Sequence, residues 1–136
     1  MNHSMRVDCE MRSSLPASLQ AIEKFFVEFR RRSREMMDRA NRFDAELLVR
    51  EALTNAVVHG CHTDPGKQVR CLLRLKRRRL LIAVEDDGDG FDWRAAWDKT
   101  AELPECSGRG IEILRKYANR VRYNSKGNAV TIVKCF

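Results

Sequence analysis

The order of elements predicts an α+β protein: a two-layer sandwich with helices packed on one face of a mixed, mainly antiparallel sheet. Two observations carry this expectation. Apolar residues recur at three- and four-residue spacing in two long segments near the N-terminus. Short runs rich in Val, Ile and Leu, bounded by turn residues, then come in pairs. Along the chain the order reads β-α-α-β-β-α-β-β.

Residues 5–11 read as a first strand. Leu19, Ile22, Phe26 and Phe29 mark one face of a helix over 15–37, with Pro16 in its first turn. A second helix spans 43–59 and is expected to end on Gly60 as its C-terminal cap. Asp64-Pro65-Gly66 places a loop over 62–67. Segments 68–75 and 80–86 form a hairpin around Lys76-Arg77-Arg78-Arg79. Residues 91–107 lack periodicity and read as a connection, with a short helix at 93–97. A third helix at 108–118 and strands at 120–124 and 129–135, joined by a Lys126-Gly127-Asn128 turn, complete the set. Without repeats or low-complexity tracts, residues 1–136 read as a single domain.

Hydrophobic residues at 43% and charged residues at 33% exclude a disordered chain. Apolar runs of a few residues are far too short for a membrane span. The first ten residues lack a signal-type apolar stretch, so the expected compartment is the cytoplasm. The cysteines number five, without a C-x-x-C pair, which favours reduced thiols over a disulfide framework. The net charge of +7 is concentrated in Arg30, Arg31, Arg32 and Arg34 and in Lys76 to Arg79. Such a balance permits binding to phosphates, nucleic acid or an acidic protein surface. No aromatic residue interleaves with either cluster, which argues against a single-strand-binding surface.

Glu85-Asp86-Asp87-Gly88-Asp89-Gly90-Phe91-Asp92 invites a calcium reading, and the pattern rejects it. An EF-hand loop started at Glu85 would need a bidentate glutamate where Ala96 stands, and an apolar strand precedes it instead of a helix. His59, Cys61, His62 and Cys71 fit none of the common zinc spacings.

Three shorter patterns remain. Glu51 and Asn55 lie four apart on one helix, on the same face, beside Leu47, Leu48, Ala52 and Val58. A carboxylate and a carboxamide at an apolar border suit a cation and a polarised water, and equally suit an ordinary helix surface. Asp86-x-Gly88-x-Gly90 ends a strand: the acid can accept a hydrogen bond from an exocyclic amine, and the glycines admit a close ligand, or the segment is a charged turn. Gly108-Arg109-Gly110 opens a helix whose free N–H groups suit phosphate, although it matches neither the Walker pattern nor G-x-G-x-x-G.

In this order and spacing, the three patterns resemble the GHKL, or Bergerat-fold, ATPase superfamily. The wording EALTNAVVHG, VEDDGDGFD and SGRGIEIL is most similar to the anti-sigma-factor serine/threonine kinases of bacteria. The resemblance implies ATP and Mg²⁺ as cofactors, with Asn55 as the metal-coordinating residue and Glu51 as the general base acting on a serine hydroxyl or water. It implies Asp86 as acceptor for the adenine amine, Gly88 and Gly90 beside base and ribose, and Gly108, Arg109 and Gly110 over the phosphates. Residues 91–107 would be the ATP lid, and His59 and Gly60 structural. Many members carry threonine where Asn128 stands, which places the geometry of the adenine site in question.

The implied function is an ATP-dependent serine/threonine kinase that phosphorylates a STAS-type anti-anti-sigma protein and sequesters a sigma factor, as a homodimer away from membranes. A nucleotide-gated partner-switching module without turnover, and a basic nucleic-acid binder, are the competing functions.

Overall fold

The computed structural model describes residues 8–90, 92 and 109–136, with the backbone alone for 109–112. Strand alternation and helix periodicity meet in one buried layer. The strands are β1 (Cys9–Pro16), β2 (Gln68–Lys76), β3 (Arg79–Asp86), β4 (Arg120–Tyr123) and β5 (Ala129–Cys135), ordered β1-β2-β3-β5-β4 in the sheet. Among the described residues every neighbouring pair is antiparallel, so the sheet there is not mixed as the sequence suggested. Two helices join β1 to β2, and an even number of passes returns the chain to the end where β1 finished.

Helix α1 (Leu19–Met36) starts later than its apolar pattern implied, and Pro16 is not in its first turn. Pro16 ends β1 instead, opposite Gln68, on an edge strand where its missing N–H costs little. Ser18 caps the helix by accepting from the Ala21 N–H at 3.0 Å. Helix α2 (Arg39–Asn55) begins earlier than expected, because Asp38 accepts from the Asn41 N–H at 2.9 Å. Beyond Asn55 the helix widens into a π-helical turn, Ala56–Gly60, closed by the Cys61 N–H on the Ala56 carbonyl at 2.9 Å. Helix α3 (Arg109–Tyr117) follows the segment that lies outside the described residues, together with the expected 93–97 helix and strand residues 5–7.

The β2–β3 turn is tighter than the four basic residues suggested. Lys76 and Arg79 pair in the ladder, and only Arg77 and Arg78 turn, at φ 52° and 65°. This is the mirror-image geometry that matches strand twist, adopted here without glycine.

From α1, Ile22, Phe25, Phe26 and Phe29 face inward; from α2, Leu48, Val49, Ala52 and Leu53; from the sheet, Leu73, Ile82 and Ile132. Phe26 makes edge-on contacts with Phe25 and Phe29, at centroid distances of 5.2 and 5.4 Å. The Arg50 guanidinium lies 4.3 Å from its ring centre and that of Arg30 lies 5.8 Å away. Both arginines tie α1 to α2: Arg30 donates to Glu46 at 2.7 and 3.1 Å, and Arg50 to Glu23 at 2.6 Å. Arg31 pairs with Glu28, and Arg32 donates to the Glu10 carbonyl at 3.1 Å. Most of the first basic cluster is therefore engaged within the protein. Among the described residues, no helix is long and apolar enough to cross a membrane.

Phe26 is the side chain on which this packing converges. Phe26→Ala is expected to cost about 3–5 kcal/mol of unfolding free energy, measured as a lower urea midpoint at unchanged m-value.

Candidate functional site

Alternation along β3 decides the fate of the acidic run. Leu80, Ile82 and Val84 point into the core, so Asp86, two residues further, must point inward as well; it is 3% exposed. Glu85 and Asp87 point outward and flank Arg70, at 3.5 and 3.0 Å. These two acids are ion-paired, not simply solvated. Arg70, helped by the Gln68 N–H, holds the Asp87 carboxyl below the usual carboxylate range. Asp86 is shifted the other way, because loss of water outweighs the Gly88 N–H, 2.7 Å from Oδ1, and the Cys61 thiol beside it.

The two glycines around Asp86 exist for clearance. A Cβ on Gly60 would lie 2.5 Å from Asp86 Oδ2. A Cβ on Gly88 would lie 1.8 Å from the Gly60 carbonyl oxygen and 2.8 Å from Asp86 Oδ1. Gly60 therefore does not serve as the left-handed helix cap expected of it: its φ is not positive, and it closes the π-turn directly over the carboxylate. Gly90 is left-handed at φ 88°, and a Cβ there would lie 1.8 Å from the Lys126 carbonyl oxygen. Gly88 and Gly90 are thus demanded by the chain's own packing.

Asn55 and Asp86, thirty-one residues apart, line one narrow cleft with Ala56, Tyr123 and Asn128. Asn55 Nδ2 is buried there and, among the described residues, meets no acceptor at ideal hydrogen-bonding geometry, the Tyr123 hydroxyl being its near neighbour. Tyr123, buried at the end of β4, lies beside that carboxamide and feels the Glu51 charge; desolvation pushes its hydroxyl up to about 12. Glu51, one helical turn before Asn55, is half-buried, and desolvation raises its pKa against the opposing pull of Arg50. Larger concavities lie near Met37 and the β2–β3 turn, and on the outer sheet face, but neither contains Glu51, Asn55 or Asp86. Convergence of buried polar groups, not size, marks the site.

Of the G-x-G residues, Gly108 and the expected lid at 91–107 lie outside the described residues, apart from Asp92. Arg109 and Gly110 form the first turn of α3. His59, Cys61, His62 and Cys71 do not assemble: among the described residues no group of three or more His, Cys, Asp or Glu is placed to hold a metal ion. Tyr123 and Asn124 were missed by motif reading. Asn124 carried a usable signal, since an asparagine opening Asn-Ser-Lys-Gly-Asn is a typical turn initiator.

A helix-covered antiparallel sheet, with E-x-x-x-N on one helix and D-x-G-x-G at a central strand end, defines a GHKL-type ATPase domain. The chain belongs to the histidine kinase-like ATPase domain family, whose model matches residues 13–134. It is 31% identical over 88 residues to the anti-sigma F factor of Shouchella clausii, covering 61% of this chain and 60% of the relative. It is 28% identical over 95 residues to that of Anoxybacillus flavithermus, covering 67% and 65%. To that of Clostridium kluyveri it is 29% identical over 93 residues, covering 65% and 64%. The matches thus span less than two thirds of the length of these relatives.

Folded Asp86 holds a proton more tightly than its unfolded counterpart, so its ionisation opposes folding. That penalty is complete above the raised folded pKa and disappears as pH falls toward the ordinary carboxylate value. Asp86→Asn is expected to raise the melting temperature of the ligand-free protein by roughly 2–5 °C at pH 7. The difference should close on acidification, as followed by circular dichroism. Gly88→Ala, by contrast, forces backbone against backbone and should lower the melting temperature by about 5 °C or more.

Proposed function

We propose that this chain is an ATP-binding anti-sigma regulator with serine/threonine kinase activity. It phosphorylates a STAS-type anti-anti-sigma protein and sequesters a sigma factor. The observation that carries this reading is the shared cleft of Asp86 and Asn55, with Glu51 one helical turn away. The names of the related anti-sigma F factors support the regulatory part. A homodimer of single-domain chains, 1–136, acting in the cytoplasm belongs to the same proposal.

The roles follow from the environments. Asp86 offers a buried carboxylate to the exocyclic amine of adenine, an interaction that guanine, with a carbonyl at the same place, cannot make. Asn55 carries a buried amide group beside the Tyr123 hydroxyl, at the wall of the cleft, so its carboxamide fits a polar ligand there. Its oxygen would hold Mg²⁺, a metal that supplies charge neutralisation between the phosphates. Glu51 takes the proton of the incoming hydroxyl while that oxygen bonds to the γ-phosphorus. The bond to the β–γ bridging oxygen breaks, and ADP leaves. Partial burial suits Glu51 to this work, because a raised pKa brings a carboxylate closer to the optimum of a base near neutral pH. Gly108, Arg109 and Gly110, with the 91–107 lid, would close over the phosphates from the start of α3.

Glu51→Ala is expected to leave ATP affinity within about threefold of wild type and to lower phosphotransfer by roughly 10²–10⁴-fold. Titration calorimetry and transfer from labelled Mg-ATP to STAS partners measure the two quantities. The wild-type rate should fall as pH drops through a value above the ordinary glutamate pKa, and Glu51→Ala should lose that dependence. ATP binding without transfer to any partner would leave a nucleotide-gated binding module.

A further inference from the structure

The β3–β5 ladder runs from Arg79↔Cys135 to Glu85↔Ala129, so the next facing pair is Asp86 and Asn128. One rung of that pair is ordinary: the Asp86 N–H donates to the Asn128 carbonyl at 2.9 Å. The reciprocal rung would need the Asn128 N–H on the Asp86 carbonyl. That N–H is turned away and donates to Asn124 Oδ1 at 3.0 Å, alongside the N–H groups of Gly127 at 2.8 Å and Ala129 at 3.2 Å. The side chain of Asn128 supplies the missing donor, with Nδ2 3.0 Å from the Asp86 carbonyl oxygen. Its own orientation is fixed from behind, because Asn124 Nδ2 donates to Asn128 Oδ1 at 2.7 Å.

We propose that Asn128 is a positioning residue for base recognition: its carboxamide completes the final rung of the β3–β5 ladder and thereby sets the Asp86 carboxylate. Asn128 grips Asp86 on both its main-chain donor and its main-chain acceptor. The Gly88 N–H and the Gly60 backbone then define the remaining orientation of the carboxylate. A main-chain shift at residue 86 would move the carboxylate away from the line on which a ligand amine must donate, so discrimination between bases depends on a residue that need not touch the base. The inference rests on the reading of Asp86 as the amine acceptor.

The test compares ATP with ITP, which carries a carbonyl oxygen in place of the amine and is otherwise a close analogue. Affinities for both are measured by titration calorimetry on the full chain. Wild type should prefer ATP by about tenfold or more, the weight of a hydrogen bond to a charged acceptor. Asn128→Asp keeps the side-chain size but opposes one oxygen to another at the Asp86 carbonyl. It should narrow the ATP/ITP ratio by roughly three- to tenfold. The added negative charge weakens both nucleotides alike through their phosphates, and any direct action on the base would favour the amine of ATP over the carbonyl of ITP, widening the ratio instead of narrowing it.

Asn124→Asp provides an independent route if Asn128→Asp does not fold. It retains the acceptor for the three turn N–H groups, yet removes the donor that orients the Asn128 amide, and should narrow the ratio in the same way. A ratio unchanged in the folded variants, with both affinities lowered equally, would mean that Asn128 only stabilises the turn, and the proposal fails. A wild-type protein that binds ATP and ITP equally would instead remove Asp86 as the amine reader, and this inference with it.

Discussion

The constraint that organises this protein is the burial of one carboxylate. Strand alternation drives the Asp86 side chain into the layer occupied by Leu80, Ile82 and Val84, where an apolar residue would otherwise sit. A carboxylate can stay there only if the backbone comes close enough to replace water. Gly88 brings its N–H to 2.7 Å, and the Gly60 Cα approaches as no residue with a Cβ could. The π-turn then acquires a reason: it swings the end of α2 over the strand end, so that the Gly60 carbonyl and Gly88 meet in direct contact. Three elements are locked together by one buried acid. The apolar cluster around Phe26, far larger in buried area, offsets the desolvation that this arrangement costs.

Much of this was legible in the sequence wherever one local rule acted alone. Period-two alternation gave the hairpin strands, and β5 has the expected bounds of 129–135. The Glu51–Asn55 spacing put both residues on one helix face. Reading failed where two rules competed. Pro16 suits a first helical turn and an edge-strand end equally, and Ser18, a better cap, decided for the strand. Gly60 after a helix looks like a left-handed cap, but the approach of Asp86 from a strand 26 residues later set its role. No local pattern contains that distance. The start of α2 was legible in principle, since Asp38 is a good cap, but the apolar pattern begins later and drew the boundary with it.

Charge was the least legible property. A net +7 with two arginine-rich runs suggests a surface waiting for an anion, yet in the first run Arg30 ties helix to helix, Arg32 ties helix to strand, and Arg31 pairs within its own helix. In the second run, two residues continue the ladder, and Arg78 donates to the Phe136 carbonyl at 3.1 Å. Arg70 likewise is balanced by Glu85 and Asp87. Exposed pairs of this kind are screened by water and add little to stability, so their value lies in orientation. Basic composition is weak support for a polyanion partner when the guanidinium groups already have acceptors.

The acids divide into environments that suit different work. Asp87 is exposed and held in its charged form by Arg70, which fixes the strand end without taking part in the cleft. Glu51, half-buried, keeps access to water and a raised proton affinity, the combination required of a base that must both accept and release a proton. Asp86 is buried and desolvated, which under the proposed function suits it to reading a ligand amine better than to shuttling a proton. In the proposed nucleotide complex, an amine N–H would return to the Asp86 carboxylate part of the hydrogen bonding that burial removed. Binding would then favour the ionised form, so ligand affinity and proton release at Asp86 are linked in sign. In that complex, the energy stored by burying the acid in the ligand-free protein would become selectivity for a donor of the right shape. Stability and the proposed recognition at this position would therefore be two readings of the same desolvation.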